Sequence, residues 1–399
     1  MWCDAKNSVA IVGVGHSRVG RRLSRPVGLL ALDAARAAAE DAGLKVGDID
    51  GLSLSAGPPL GPDAVPGLRS APVEWMAEAL QLKRVDWWTT DVRNISMAVG
   101  YAVQALATNS CKYVLLWRAE HQPRRGGASN GSAIAPKAEG EAAYSAPYGL
   151  SGTAIRYALA FMRYMKRFGA KREHLAAYVL AARKGANNNP NAVFYSERLA
   201  IADYMGARMI ADPLCLYDCD MPVDGAGAIV LTRAERAKDL RRQPAFVSAL
   251  GSAGWNRDVL PPEEYEDNPG NLGRILWASA GLTPKDIDGA MLYDGFSPSI
   301  FWWLEGLGFC GRGEAFDWIQ HGRIELGGDL PVNTFGGSIG EGRLHGIGHW
   351  IEATKQIQGR ADDRPGDGAR QIANARNILV ATGMTGHNAG GILSKELPA

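Results

Sequence analysis

The chain has 399 residues, 46% of them hydrophobic and 21% charged. Its 43 Lys and Arg nearly cancel 42 Asp and Glu, leaving a net charge of +1 that gives no electrostatic case for nucleic acid or a membrane surface. No apolar run approaches the roughly 18 residues of a membrane span, and MWCDAKNSVAIVGVGHS lacks the basic start and long apolar stretch of a signal peptide.

Cys3, Cys111, Cys215, Cys219 and Cys310 are odd in number and have no framework spacing, which points to a reducing, cytoplasmic setting. Cys215 and Cys219 have no second Cys or His pair beside them, so no metal site is expected.

In chain order, Val9–Val14 reads as a β-branched strand and 29–41 as an Ala-rich helix. The turn AGLKVGDIDGL (42–52) leads into the strand Leu52–Ser55, and Tyr113–Trp117 reads as another buried strand. The excursion 121–215 follows. It is Gly-rich and polar at first, then helical over 152–168 and 171–187, and we read it as a lid that also contributes to a dimer contact. Ala226–Thr232 closes the first half.

Phe246–Leu250 starts the second half, and a helix over 271–279 leads into AGLTPKDIDGA (280–290) and the strand Ala290–Tyr293. Ile378–Ala381 and Gly391–Ser394 finish it. The helix–turn–strand unit at 42 therefore recurs 238 residues later, which signals a duplication. The alternation of strands and helices predicts an α/β protein with mainly parallel sheets covered on both faces. The two halves are 1–240, including the insertion, and 241–399.

Four motifs, VAIVGVGHS (9–17), DGAGA (224–228), LYDGFSPS (292–299) and NTFGGSIGEGRLHGIGHWIEA (333–353), resemble the thiolase superfamily. EGLGFCGRGEAFDWI (305–319) followed by PVNTFGG (331–337) is similar to its thiolase-like lipid-transfer subgroup, which is related to the thiolase part of sterol carrier protein x and includes steroid side-chain aldolases. The resemblance implies a duplicated thiolase fold, five-layered αβαβα with pseudo-twofold halves, and a homodimer. It implies an acyl-CoA thioester as substrate and no cofactor in this chain. It also implies a zinc-ribbon/OB-fold accessory protein in an α2β2 complex, with any zinc held by that partner.

Thiolase chemistry needs a cysteine nucleophile at a helix N-terminus. The matching stretch, Thr90 to Gly100, has none; the slot falls on Val92, and Ser96 reads as a helix-start or packing serine. The C-terminal cysteine slot, near Ala381–Asn388, is also without cysteine. A retro-aldol cleavage needs neither. A base takes the β-hydroxyl proton, the Cα–Cβ bond breaks, and an acid protonates the enolate.

The resemblance maps the aldolases' catalytic tyrosine onto Tyr293 and puts Arg343 where they have a second tyrosine. The expected catalytic set is Tyr293 as base, Arg343 as the cation that lowers the phenol's pKa or binds the enolate oxygen, and His345 for the second proton transfer. Asn333, Gly336 and Gly337 are expected to contact substrate. Arg124 and Arg125 are weaker candidates for the CoA phosphates.

The function read from this is a carbon–carbon lyase of lipid metabolism and steroid degradation, cleaving a β-hydroxyacyl-CoA to a carbonyl product and a shortened acyl-CoA. The alternatives are a thiolase-type acyltransferase with unconventional residues and a non-catalytic acyl-CoA or lipid-binding subunit.

Overall fold

The computed structural model describes residues 8–55, 65–90, 92, 94–121, 143–150, 152–254, 262–383 and 387–396. Its strands are β1 (Val9–His16), β2 (Gly51–Leu54), β3 (Trp87–Thr89), β4 (Tyr113–Glu120), β5 (Met209–Ala211), β6 (Leu214–Cys215), β7 (Gly225–Arg233), β8 (Ala245–Gly254), β9 (Gly289–Leu292), β10 (Asn377–Thr382) and β11 (His387–Ser394). The helices are α1 (Val27–Ala42), α2 (Val73–Ala79), α3 (Ile95–Ala107), α4 (Thr153–Phe168), α5 (Arg172–Asn187), α6 (Ile201–Met205), α7 (Ala234–Ala237), α8 (Pro262–Ala280), α9 (Ser299–Gly306), α10 (Ala315–Trp318), α11 (Gly337–Gly340) and α12 (Ile347–Ile357).

Nine strands join in the order β3-β2-β4-β7-β1-β8-β11-β10-β9. The order mirrors about the short β1–β8 contact, where Ala10 pairs with Phe246 and Ile11 with Ala245. On one side β1-β7-β4-β2 pair antiparallel, antiparallel, parallel; on the other, β8-β11-β10-β9 do the same.

The repeated turns occupy matching places in this mirror. Asp48 and Asp286 each accept from the backbone N–H three residues upstream, at 2.8 Å. Asp50 accepts from the N–H groups of Lys112 and Tyr113, as Asp288 does from Arg376 and Asn377. In each half, then, one aspartate carboxylate fixes the start of the neighbouring strand.

Mainly parallel pairing is not what forms. Among these eight neighbour pairs five are antiparallel, because β7 and β11 return between their partners. Antiparallel strands pair as well as parallel ones do when both faces are covered, so apolar runs alone do not reveal strand direction.

The faces divide by strand period. Val9 and Ile11 of β1 join Ala98, Val99, Ile347 and Trp350 in a central core, while Ala10 and Val12 point to α1 on the outside. Likewise Ile378 and Val380 of β10 face the centre, and Leu379 and Ala381 face a third core built on α8 and α9. Helices α3 and α12 touch strands of both halves and so lie between them, with α1 and α8 as outer covers. This is the five-layered αβαβα arrangement.

In the excursion, 122–142, with Arg124 and Arg125, lies outside the described residues. Its helices do not form a loose flap: Tyr157, Phe161, Tyr164, Leu175 and Tyr178 are all buried in the core of the second half. β4 is interior, hydrogen-bonded to β2 on one edge and β7 on the other. The outer strand of the first half is β3, where Trp88 is 56% exposed.

Candidate active site

The chain segment 219–222 decides the geometry. It bridges Phe296 through Cys219 and Arg343 through Pro222, so it is held between the loop after β9 and the loop before α12. Asp220 donates its backbone N–H to the Gly295 carbonyl at 3.0 Å, and Arg343 donates its own to the Met221 carbonyl at 2.8 Å. Asp220 is thereby set between Tyr293 and Arg343, with Arg343 Nη1 at 3.4 Å from its Oδ1. A Cβ at Gly295 would stand 3.1 Å from the Tyr293 Cε1, 3.4 Å from its Oη and 3.5 Å from the Asp220 Oδ2, so the phenol and the carboxylate both lie close beside Gly295.

Tyr293 continues β9, donating its N–H to the Ala381 carbonyl at 2.9 Å and accepting from the Trp303 indole at 3.0 Å. On the other flank, Glu120 at the end of β4 accepts from Arg118 at 2.6 Å and lies 3.7 Å from His345 Nε2. Tyr293, Arg343 and His345 therefore do come together, with Asp220, Glu120 and Arg118 as further members.

The charges sort by environment. Asp220 is raised to about 7 by burial first, with Asp294 and Glu120 adding to the rise and Arg343 opposing it. Tyr293 is pushed above the ordinary phenol value by burial and by Asp220; Arg343 and Arg118 oppose this without winning. Burial and the Asp220 carboxylate thus make Tyr293 harder to ionise than an ordinary phenol, which weighs against its acting as a phenolate base. His345 is pushed down by burial and by Arg118 and Arg343 against the pull of Glu120, so it is neutral at pH 7 although 37% of its side chain is exposed. Glu120 lies below the usual carboxylate range: burial raises it, but the charges of Arg118 and Arg343 hold it down.

Asn333 has no amide group left for substrate. It donates to the Tyr178 hydroxyl and the Leu292 carbonyl, both at 2.7 Å, and accepts from the Leu292 N–H at 2.8 Å. Gly336 and Gly337 serve protein contacts. At φ 108°, a Cβ on Gly336 would meet Ala186 of α5 at 2.8 Å; at φ 63°, one on Gly337 would meet the Asp294 carboxylate at 2.2 Å. The three expected substrate contacts are framework that positions α11.

Asp294 is the hub of that framework, accepting from Tyr178 at 2.6 Å and from the N–H groups of Ser338 and Ile339 at 2.7 and 3.3 Å. His349 turns to Asp294 and the Leu292 carbonyl, away from His345. Among the described residues no group of His, Cys, Asp and Glu is arranged to hold a metal.

The nucleophile slot agrees with its sequence. Val92 is buried, and its carbonyl accepts from Ser55 at 2.9 Å. Ser96 shares its hydroxyl with Thr382 at 2.7 Å and accepts from the Trp350 indole at 3.0 Å. Of the second slot, 384–386 lies outside the described residues. Cys111 is pushed up to about 12 by burial, and burial likewise raises Cys215, Cys219 and Cys310. Cys3 is outside the described residues. A separate cavity of about 460 Å³ opens along α5, but none of the cluster residues lines it, and Lys184 there is paired with Glu325.

Sequence reasoning missed Asp220, Glu120 and Arg118. Asp294 stood inside a motif that was read only for its tyrosine. The available signal for Asp220 was an acidic residue in the apolar stretch CDMPV just ahead of the DGAGA motif.

With this geometry in place, comparison with known proteins is decisive. The chain is 35% identical over 387 residues to the 17-hydroxy-3-oxo-4-pregnene-20-carboxyl-CoA lyase of Mycobacterium tuberculosis, spanning 94% of this chain and 96% of that one. It belongs to the thiolase superfamily, in the subgroup of steroid side-chain aldolases.

A steroid side-chain-cleaving aldolase of Thermomonospora curvata is 34% identical, with 98% of both chains covered. The Thiolase C-terminal domain-like family matches residues 271–396. The solved Ltp2-ChsH2(DUF35) aldolase superposes with a TM-score of 0.84 at 31% identity over 98% of each chain. An acetyl-CoA acetyltransferase from Syntrophomonas wolfei, at 15% identity and a TM-score of 0.69, shares the thiolase fold. Among the described residues, no helix of this superfamily member is long and apolar enough to cross a membrane.

Proposed function

We propose that the protein is a carbon–carbon lyase that cleaves a β-hydroxyacyl-CoA, with a steroid side-chain thioester as substrate class, by retro-aldol chemistry. The observation that carries this reading is the buried cluster of Tyr293, Asp220 and Arg343 beside Gly295, in a chain aligned over nearly its full length with aldolases and without a cysteine in the nucleophile slot. Proton transfer and oxyanion stabilisation suffice for the reaction. Arg343 holds Asp220 as an ion pair, and His345 lies on the other flank against Glu120.

The chain itself carries no cofactor in this reading. It acts in the cytoplasm as two thiolase-like halves, 1–240 and 241–399, and as a homodimer. Val332 bridges Ala290 of β9 beyond the last strand on that side, so β3 is the other end of the sheet, with no further strand paired to it among the described residues, and there a second copy can pair. A zinc-ribbon/OB-fold accessory protein completes an α2β2 assembly; the partner in the Ltp2-ChsH2(DUF35) aldolase supports this.

The test is direct. The full chain, alone and with the accessory protein, is incubated with 17-hydroxy-3-oxo-4-pregnene-20-carboxyl-CoA. The reading requires a steroid 17-ketone and a short acyl-CoA in equal amounts.

A further inference from the structure

Of the buried aspartates Asp218, Asp220 and Asp294, Asp220 is the one with the fewest hydrogen bonds among the described residues. Asp218 accepts from the hydroxyls of Tyr204 and Ser297, at 2.9 and 2.6 Å, and from the Cys215 N–H at 2.8 Å. Asp294 accepts from Tyr178, Ser338 and Ile339. Both are committed to holding backbone and neighbouring side chains. Asp220, 6% exposed, has a single side-chain hydrogen bond among the described residues, the long 3.4 Å approach of Arg343 to Oδ1, while its Oδ2 and the Tyr293 hydroxyl both lie within 3.5 Å of the Cβ position of Gly295. A buried carboxylate kept out of the framework, beside a phenol and a guanidinium, is the arrangement a general base needs.

We infer that Asp220 is the catalytic base that removes the β-hydroxyl proton, with Tyr293 as the acid that returns a proton to the α-carbon. The inference rests on the lyase reading above. The O–H pair of electrons forms the new carbonyl, the Cα–Cβ pair moves to the thioester enolate, and the proton rests on Asp220. The enolate carbon then takes the phenol's proton, and the phenolate recovers one from Asp220. No oxidant, metal or covalent adduct is needed.

Several groups face Asp220: Arg343 before α12, Tyr293 and Asp294 after β9, Glu120 at the end of β4, Tyr157 on α4, and the adjoining Cys219. Their balance keeps the carboxyl half ionised near neutrality, as a base for this reaction requires.

The experiment uses the full chain with its accessory protein and the same steroid thioester. Asp220→Asn should lower kcat by roughly 10²–10⁴ while leaving substrate affinity within about threefold. Asp220→Gly, assayed with added formate, should regain activity in proportion to the formate concentration, which a merely structural role would not allow. Full cleavage by Asp220→Asn, or loss of activity in both variants without rescue, would overturn the inference while leaving the lyase reading intact. An inactive wild-type complex would take down both.

Discussion

Arg343 and Asp220 form an ion pair at 3.4 Å in which Asp220 is the buried, under-bonded member and Arg343 the cation that makes its ionisation possible. The pair explains why an arginine can stand where related aldolases carry a tyrosine: its charge is spent on a carboxylate that sequence alone did not mark.

Arg343→Ala removes the group that pulls Asp220 down. Asp220 then titrates above its present value of about 7, so the acidic limb of the kcat/KM profile should move to higher pH. A pH–rate series on the wild type and the variant measures this. An acidic limb that stays fixed, or moves down, contradicts the coupling.

Tyr293→Phe should keep the ring packed beside His349, at 5.8 Å between centroids, and so leave the urea midpoint almost unchanged. Cleavage should fall by roughly 10²–10⁴. Because the phenol is held protonated, no basic limb from its ionisation should be seen up to about pH 10.

Asp220 also bears on stability. Its folded pKa of about 7 lies above the ordinary aspartate value, so between the two the folded state holds a proton that the unfolded chain has released. Stability therefore falls as pH rises from about 4 to about 7, and levels off above that. Glu341, pushed up to about 7 by burial, adds to the same fall. Asp220→Asn cannot ionise, so at pH 8 it should be more stable than wild type by about 2–4 kcal/mol. Urea titrations at pH 5 and pH 8 read out the difference; equal midpoints for the two proteins at pH 8 would contradict it.

Gly337→Ala places a Cβ 2.2 Å from the Asp294 carboxylate at a φ of 63°. It should destabilise the fold by roughly 2–4 kcal/mol and lower activity together. A variant with wild-type stability and a raised KM would return this glycine to substrate binding.

Much of the fold was legible because the turns at 42 and 280 share AGL and DIDG, down to the aspartates that fix the next strand. Strand direction was not, since β7 and β11 read as apolar runs in either sense. At the site, Tyr293, Arg343 and His345 were found by motif. Asn333, Gly336 and Gly337 lay in the same motif, but their hydrogen bonds and close contacts turn inward, to Tyr178, Ala186 and Asp294. Asp220 escaped because its value depends on what fails to bond to it. That property comes from tertiary placement between two loops far apart in sequence.

The central claim is non-covalent retro-aldol cleavage by this site. One experiment decides it: incubate the complex with 17-hydroxy-3-oxo-4-pregnene-20-carboxyl-CoA, quantify the products, and weigh the intact protein by mass spectrometry in the same samples. The account predicts equal amounts of steroid 17-ketone and short acyl-CoA, with every cysteine unmodified. An acyl adduct on the protein, or substrate recovered whole, would contradict it.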